Sequence, residues 1–218
     1  MGAPAFRLLG PAEMEEVFAR FAHQNPSPLP ELAAPNAYCF LVSVVLSAQT
    51  TDKAVNKATA PLYERVQTPE QMLALGRESL VGYIRSIGLY NSKADHVIAL
   101  SRELVERFHS QVPATREALM SLPGVGRKTA NVVLNVIYRE PTMPVDTHLL
   151  RICPKIGLAR GTTPKQVEQS LLERVPAPYL LYAHHWLILH GRYVCTARAP
   201  ACDGCLLADL CLHNETKA

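Results

Sequence analysis

The chain has 218 residues, enough for one large domain or two small ones with a sizeable core. Apolar residues make up 48% of it and charged ones 19%, which excludes a disordered tail, and no apolar run reaches the ~18 residues that span a bilayer. The net charge of +3, with an isoelectric point near 8.5, permits a nucleic-acid partner without demanding one.

The amino-terminal MGAPAFRLLG has neither the charged start nor the apolar core and cleavage site of a secretory signal, and Phe6 breaks the myristoylation pattern. A soluble, cytoplasmic protein is expected, with no membrane partner. Met14, Val17, Phe18 and Phe21 share one face of a first helix. Asn36 caps a second, largely apolar helix to about Leu46, and Thr51 caps a third, which Pro61 should bend or end. Thr68 followed by Pro69 starts another. Asn91 precedes a long helix through about Phe108, with Ile98, Leu100 and Leu104 on its apolar side. A short helix at Arg116 to Ser121 leads into a glycine turn, and a stronger helix follows from about Arg127 to Tyr138. Asp146 sits at the cap of the next. Thr163, Pro164 and Gln166 form a capping box, and a last helix from Tyr179 to His190 should stop at Gly191. No period-two alternation or Asn-Gly hairpin occurs. The expectation is an all-α fold of about ten helices, with proline-rich seams near residues 25–35 and 141–144.

Residues 122–126 read Leu-Pro-Gly-Val-Gly. The glycines allow a tight turn that exposes backbone N–H groups. They lead into a helix N-terminus, whose free amides and positive dipole end favour an anion. Helix, glycine turn and helix in succession resemble the helix-hairpin-helix motif, here about 113–138, in which the hairpin holds a DNA phosphate without reading sequence. Leu122, Gly124, Gly126 and Arg127 are its candidate DNA-binding residues. Lys128 lies in the first turn of the following helix, where the dipole disfavours a cation. If it is also partly desolvated, its pKa should fall, and a neutral amine is a nucleophile able to displace a base at sugar C1′ as a Schiff base. Asp146, in Val-Asp-Thr-His, has a structural purpose as a helix cap. A carboxylate so fixed could also stabilise positive charge developing on the sugar or assist the amine or a water.

Four of the six cysteines, Cys195, Cys202, Cys205 and Cys211, fall within 17 residues. In an intracellular chain such a cluster reads as a closed four-thiolate metal site before it reads as disulfides. The ligand count alone allows tetrahedral zinc or an iron–sulfur cluster. Cys39 and Cys153 read as packed thiols. Arg192, Arg198 and Lys155 could add a phosphate-facing patch beside the cluster.

LPGVGRKTANVVLN (122–135) followed by VDTHLLR (145–151) resembles the core of the endonuclease III family of DNA glycosylases. LSAQTTDKAVNKAT (46–59), IGLYNSKA (87–94) and HHWLILHGRYVC (184–195) resemble it too, so the likeness covers roughly residues 10 to 212. The resemblance implies a bifunctional glycosylase and AP lyase of base excision repair that removes oxidised pyrimidines from duplex DNA. It then cleaves 3′ to the abasic site by β-elimination, with Lys128 and Asp146 as the catalytic pair. It implies a six-helix barrel at 30–140, a second domain of 1–29 with 141–218, and an active site in the groove between them. It also implies a [4Fe–4S] cluster on the four cysteines. By the same resemblance Gln49 and Leu89 enter the duplex when the target nucleotide is flipped out: glutamine to bond the orphaned base, leucine as an apolar wedge. His148 could touch the substrate or serve the cap. The implied partner is double-stranded DNA carrying damaged bases or abasic sites, the implied state a monomer associated with a bacterial nucleoid.

Two other readings compete. A monofunctional adenine-excising relative would lack the hairpin lysine and carry a glutamate on the helix at 37–48, where this chain has no carboxylate. It would also add a C-terminal recognition domain, which is not expected here. A non-catalytic, metal-stabilised DNA-binding protein would suit the hairpin and the cysteines equally, but has no need of Lys128 and Asp146.

Overall fold

The computed structural model describes residues 7–215; the part of the amino-terminal segment read above for targeting signals, up to Phe6, lies outside them. Among the described residues there are twelve α-helices, one short 3-10 turn and no strand. The chain divides into two compact units, Pro30–Glu140 and Met1–Leu29 with Pro141–Ala218.

The continuous unit holds α2 (Ala37–Leu46), α3 (Asp52–Tyr63), α4 (Pro69–Leu75), α5 (Arg77–Ile84), α6 (Tyr90–Phe108), α7 (Arg116–Met120) and α8 (Arg127–Tyr138). Every residue of α2 from Tyr38 to Leu46 is buried, as expected of a helix apolar on all sides. It packs against α3, α6 and α8 at the centre of the core. Its polar atoms are satisfied: Tyr38 shares a 2.7 Å hydrogen bond with Ser101, and Tyr63 donates to the Cys39 carbonyl at 2.8 Å while meeting Ser43 at 2.7 Å. Asn36, Thr51 and Thr68 cap α2, α3 and α4 through their side chains. Pro61 does not end α3, because it lies two residues from the end at Tyr63, where little of the hydrogen-bond ladder remains to be lost. α5 was not foreseen; Gly76, at φ 79°, closes α4 and opens α5 in one residue. The cap of α6 is Leu89, two residues ahead of Asn91, which lies inside the helix.

The discontinuous unit holds α1 (Pro11–Gln24), α9 (Thr147–Ile156), α10 (Pro164–Arg174), α11 (Leu180–Tyr193) and α12 (Leu212–Glu215). Phe18, Phe21, Tyr179 and Trp186 form its aromatic centre, with the Phe21 and Trp186 rings stacked 6.3 Å apart. The Trp186 indole donates to the Asn25 carbonyl at 2.8 Å, so the ring's one polar atom is satisfied. Arg20 of α1 donates to the Leu206 carbonyl at 2.8 Å and pairs with Asp209, which ties the amino-terminal helix to the cysteine loop. Gly191 does not stop α11, which runs to Tyr193; a Cβ there would lie 2.9 Å from His148 Cβ, so the glycine serves a close helix–helix approach.

Candidate active site and iron–sulfur centre

The hairpin is anchored from below and open above. Leu122 and Val125 are buried in the core at 2% and 7% exposure, while Gly124, Gly126, Arg127 and Lys128 are exposed. Leu122 was expected to meet DNA. Its side chain points into the core, so only its backbone is available for that, and the residue acts as the root of the turn. Thr115 caps α7, and Arg116 Nε donates to Asn131 Oδ1 at 2.8 Å, bracing α7 against α8. Gly124 takes φ 78°, and a Cβ on it would come within 2.9 Å of His96 Cβ on α6.

Gly126 is the N-cap of α8, and no side chain caps the helix. The residues at that end, Gly126 to Lys128, are exposed, and the positive dipole end there favours an anion such as a phosphate oxygen. Lys128 is the second residue of this helix. Its side chain is exposed.

Gln49 and Leu89 have a common backbone peculiarity. Both are exposed, and both adopt left-handed conformations, at φ 54° and 58°. For a residue with a side chain this costs about 1–2 kcal/mol. Leu89 is 60% exposed, one of few large apolar side chains so placed. Lys93, which sequence reasoning missed, lies between these two turns, buried at 3% exposure with its Nζ donating to Thr50 Oγ1 at 2.7 Å. Its signal was present: Lys93 falls on the same helical stripe as Val97, Leu100 and Leu104.

In the other unit Asp146 caps α9. Its Oδ1 accepts the amides of His148 and Leu149, both at 2.9 Å. His148 is half-buried, its Nδ1 lies out of reach of solvent without a hydrogen-bond partner, and its Cβ faces Gly191. Any substrate contact falls to the rest of the ring. Arg151, one turn and a half along α9 from the cap, donates from Nη2 to the carbonyls of Gly191 and Cys195, each at 2.8 Å.

Cys195, Cys202, Cys205 and Cys211 line one cavity, together with Lys155, His190 and Leu207. Burial pushes the Cys195 and Cys205 thiols up. The other thiols add to this, and Lys155 and Arg151 oppose it at Cys195. Four sulfurs in one half-buried cavity need a cationic centre to ionise together. The Leu207 amide donates to Cys205 Sγ at 3.4 Å, the kind of bond that accompanies iron–sulfur sulfurs. The residues fit a multi-iron cluster. Cys39 and Cys153, by contrast, are wholly buried; Cys39 is pushed up to about 11 by burial, and Cys153 further.

A helical fold, a hairpin feeding an uncapped helix and a cysteine loop define a helix-hairpin-helix repair protein with an iron–sulfur centre. The model for the HhH-GPD superfamily base excision DNA repair protein matches residues 42–177, and that for the iron-sulfur binding domain of endonuclease III matches residues 195–211. Endonuclease III of Treponema pallidum (strain Nichols) is 55% identical, over 96% of this chain and 99% of its own. That of Escherichia coli (strain K12) is 50% identical, over 94% and 97%. A solved structure of a trapped endonuclease III–DNA covalent intermediate superposes with a TM-score of 0.89 at 38% identity, covering 96% of this chain and 99% of that one. The chain belongs to the endonuclease III family of HhH-GPD base excision repair proteins. It is a bifunctional DNA glycosylase and AP lyase with a [4Fe–4S] cluster. Among the described residues no helix is long and apolar enough to cross a membrane.

Proposed function

We propose that Lys128 is the nucleophile and Asp146 its carboxylate partner in the removal of oxidised pyrimidines from duplex DNA. The Lys128 amine attacks C1′ of the flipped nucleotide, the C1′–N bond breaks, and the base leaves with the electron pair and takes up a proton. The sugar ring opens to a Schiff base on Nζ. Loss of a C2′ proton then expels the 3′ phosphate, and hydrolysis of the imine frees the lysine. The observation that carries this is the position of Lys128: an exposed amine in the first turn of a helix whose N-terminus no side chain caps, directly after a glycine hairpin. A phosphate on those amides would bring the sugar to the amine, and bound DNA would supply the desolvation that the protein alone does not.

Asp146 presents a fixed negative charge suited to the cationic sugar. Gly124, Gly126 and Arg127 would hold the phosphate, and Gln49 and Leu89 would fill the space left by the flipped nucleotide. The unit at 30–140 would act as the DNA-binding barrel and the remaining chain as the cluster domain. The cluster supplies cohesion to the loop 195–211. His148 would position the Asp146 end of α9 more than touch substrate, since its Nδ1 is buried. A monomer working on nucleoid DNA in the cytoplasm completes the proposal.

The test is to incubate the protein with a duplex containing one thymine glycol, add borohydride, and compare Lys128→Ala. A covalent protein–DNA adduct from the parent alone is expected. Binding without an adduct from the parent would overturn the assignment, and an undiminished adduct from the variant would move the nucleophile elsewhere.

A further inference from the structure

Lys93 stands on the inner stripe of α6 among Ala94, Val97, Leu100 and Leu104, each 0% exposed, and is itself 3% exposed. Among the described residues no carboxylate pairs with it; its ammonium rests on one neutral hydroxyl, that of Thr50, and burial holds it below the ordinary lysine range. Such a group is costly to bury, and methionine would fill the same space without that cost. A polar contact kept at this expense calls for a use.

Its two ends show what it joins. The Lys93 backbone amide donates to the Leu89 carbonyl at 3.0 Å, the first rung of α6. Its Nζ reaches Thr50, whose hydroxyl donates onward to the Ala48 carbonyl at 3.4 Å and whose amide donates to Ser47 at 3.0 Å. Gln49 is enclosed by that turn. Gln49 and Leu89 are both held in left-handed backbone, a conformation that persists only where the surroundings over-determine it. We infer that Lys93 is a positioning residue for lesion extraction, its ammonium holding the Gln49 turn, through Thr50, in register with the Leu89 turn so that both side chains enter the stack together. The inference rests on the insertion roles proposed above for Gln49 and Leu89.

The experiment uses the full-length, cluster-loaded protein and the variants Lys93→Met, Thr50→Val, Thr50→Ser, Gln49→Ala and Leu89→Ala. Three quantities are read: single-turnover excision of thymine glycol from a duplex, borohydride trapping on a single-stranded abasic oligonucleotide, which has no stack to open, and the melting temperature. Lys93→Met should lower duplex excision by about 10-fold or more, lower single-stranded trapping by less than about twofold, and melt at or above the parent temperature. Thr50→Val should reproduce the loss, the double variant should be no worse than either single one, and Thr50→Ser, which keeps the hydroxyl, should stay near the parent. If Gln49→Ala and Leu89→Ala lose duplex excision and Lys93→Met keeps it, the role of Lys93 falls and insertion stands. If neither Gln49→Ala nor Leu89→Ala matters, insertion falls and the inference with it. Equal losses on duplex and single strand would place Lys93 in the chemistry and overturn positioning. Should Lys93→Met fail to fold, the pair Thr50→Val and Thr50→Ser decides: loss in the first with retention in the second supports the inference, and retention in both overturns it.

Discussion

The carboxylate of Asp146 and the backbone amide of His148 are joined by a 2.9 Å hydrogen bond, and the oxygen that accepts it, Oδ1, also accepts the Leu149 amide. Both cap bonds end on one oxygen. Oδ2 is left outside the cap, so holding the helix and carrying charge are duties that substitution can separate.

Asp146→Asn keeps a side-chain oxygen at the cap, where asparagine ranks level with aspartate. Its melting temperature should stay near the parent's, while excision falls on the order of 100-fold. Asp146→Ala should lose the activity and about 0.5–2 kcal/mol of stability as well. Thermal melts set beside single-turnover excision check both. An asparagine variant as fast as the parent would reduce Asp146 to a cap.

Gly124→Ala meets two obstacles, a positive φ and a Cβ 2.9 Å from His96 Cβ. It should cost roughly 1–3 kcal/mol and weaken binding to undamaged duplex, because the hairpin amides shift. His96→Ala does not remove the contacted Cβ, so it should recover little of the loss in the double variant. Denaturant melts and a salt titration of binding are the measurements, and full recovery in the double variant would show that the flexible part of the histidine ring, not the backbone, was the obstacle.

The lowered Lys93 pKa has a consequence at alkaline pH. Burial penalises the ammonium in the folded state, so between the folded value and the ordinary lysine value of 10.5 the unfolded chain binds more protons. Stability therefore gains from this residue as pH rises through that window, and below it the penalty is constant. The stability advantage of Lys93→Met over the parent should narrow as pH is raised, which urea unfolding at about pH 8 and about pH 10 would show. A gap that does not change with pH would mean that the ammonium is not penalised.

Much of this was legible because capping is local chemistry. Asn36, Thr51, Thr68, Asp146 and Thr163 cap the helices they precede, since each places a short acceptor before an apolar run. Asn91 misled for the same reason: it is a good cap by type, but Leu89 occupies the position in a left-handed backbone that no local rule assigns to leucine. Gly191 reads as a stop in sequence and is a packing site in space, because what it accommodates, His148, lies more than forty residues away. Lys128 was placed correctly on its helix, yet its exposure could not follow from neighbours in the chain. Lys93 was hidden by residue type, since lysine is discounted on a buried stripe.

Arg151 gives α9 two attachments of unlike purpose. The helix, ten residues and so ~15 Å long, has the Asp146 carboxylate at its head, Arg151 gripping the Cys195 carbonyl from its side, and Lys155 lining the cysteine cavity near its foot. The aspartate and the metal loop are thus two fittings on one rod. A loop graft from a distant relative, even with all four sulfurs retained, would change the footing of a carboxylate it never touches.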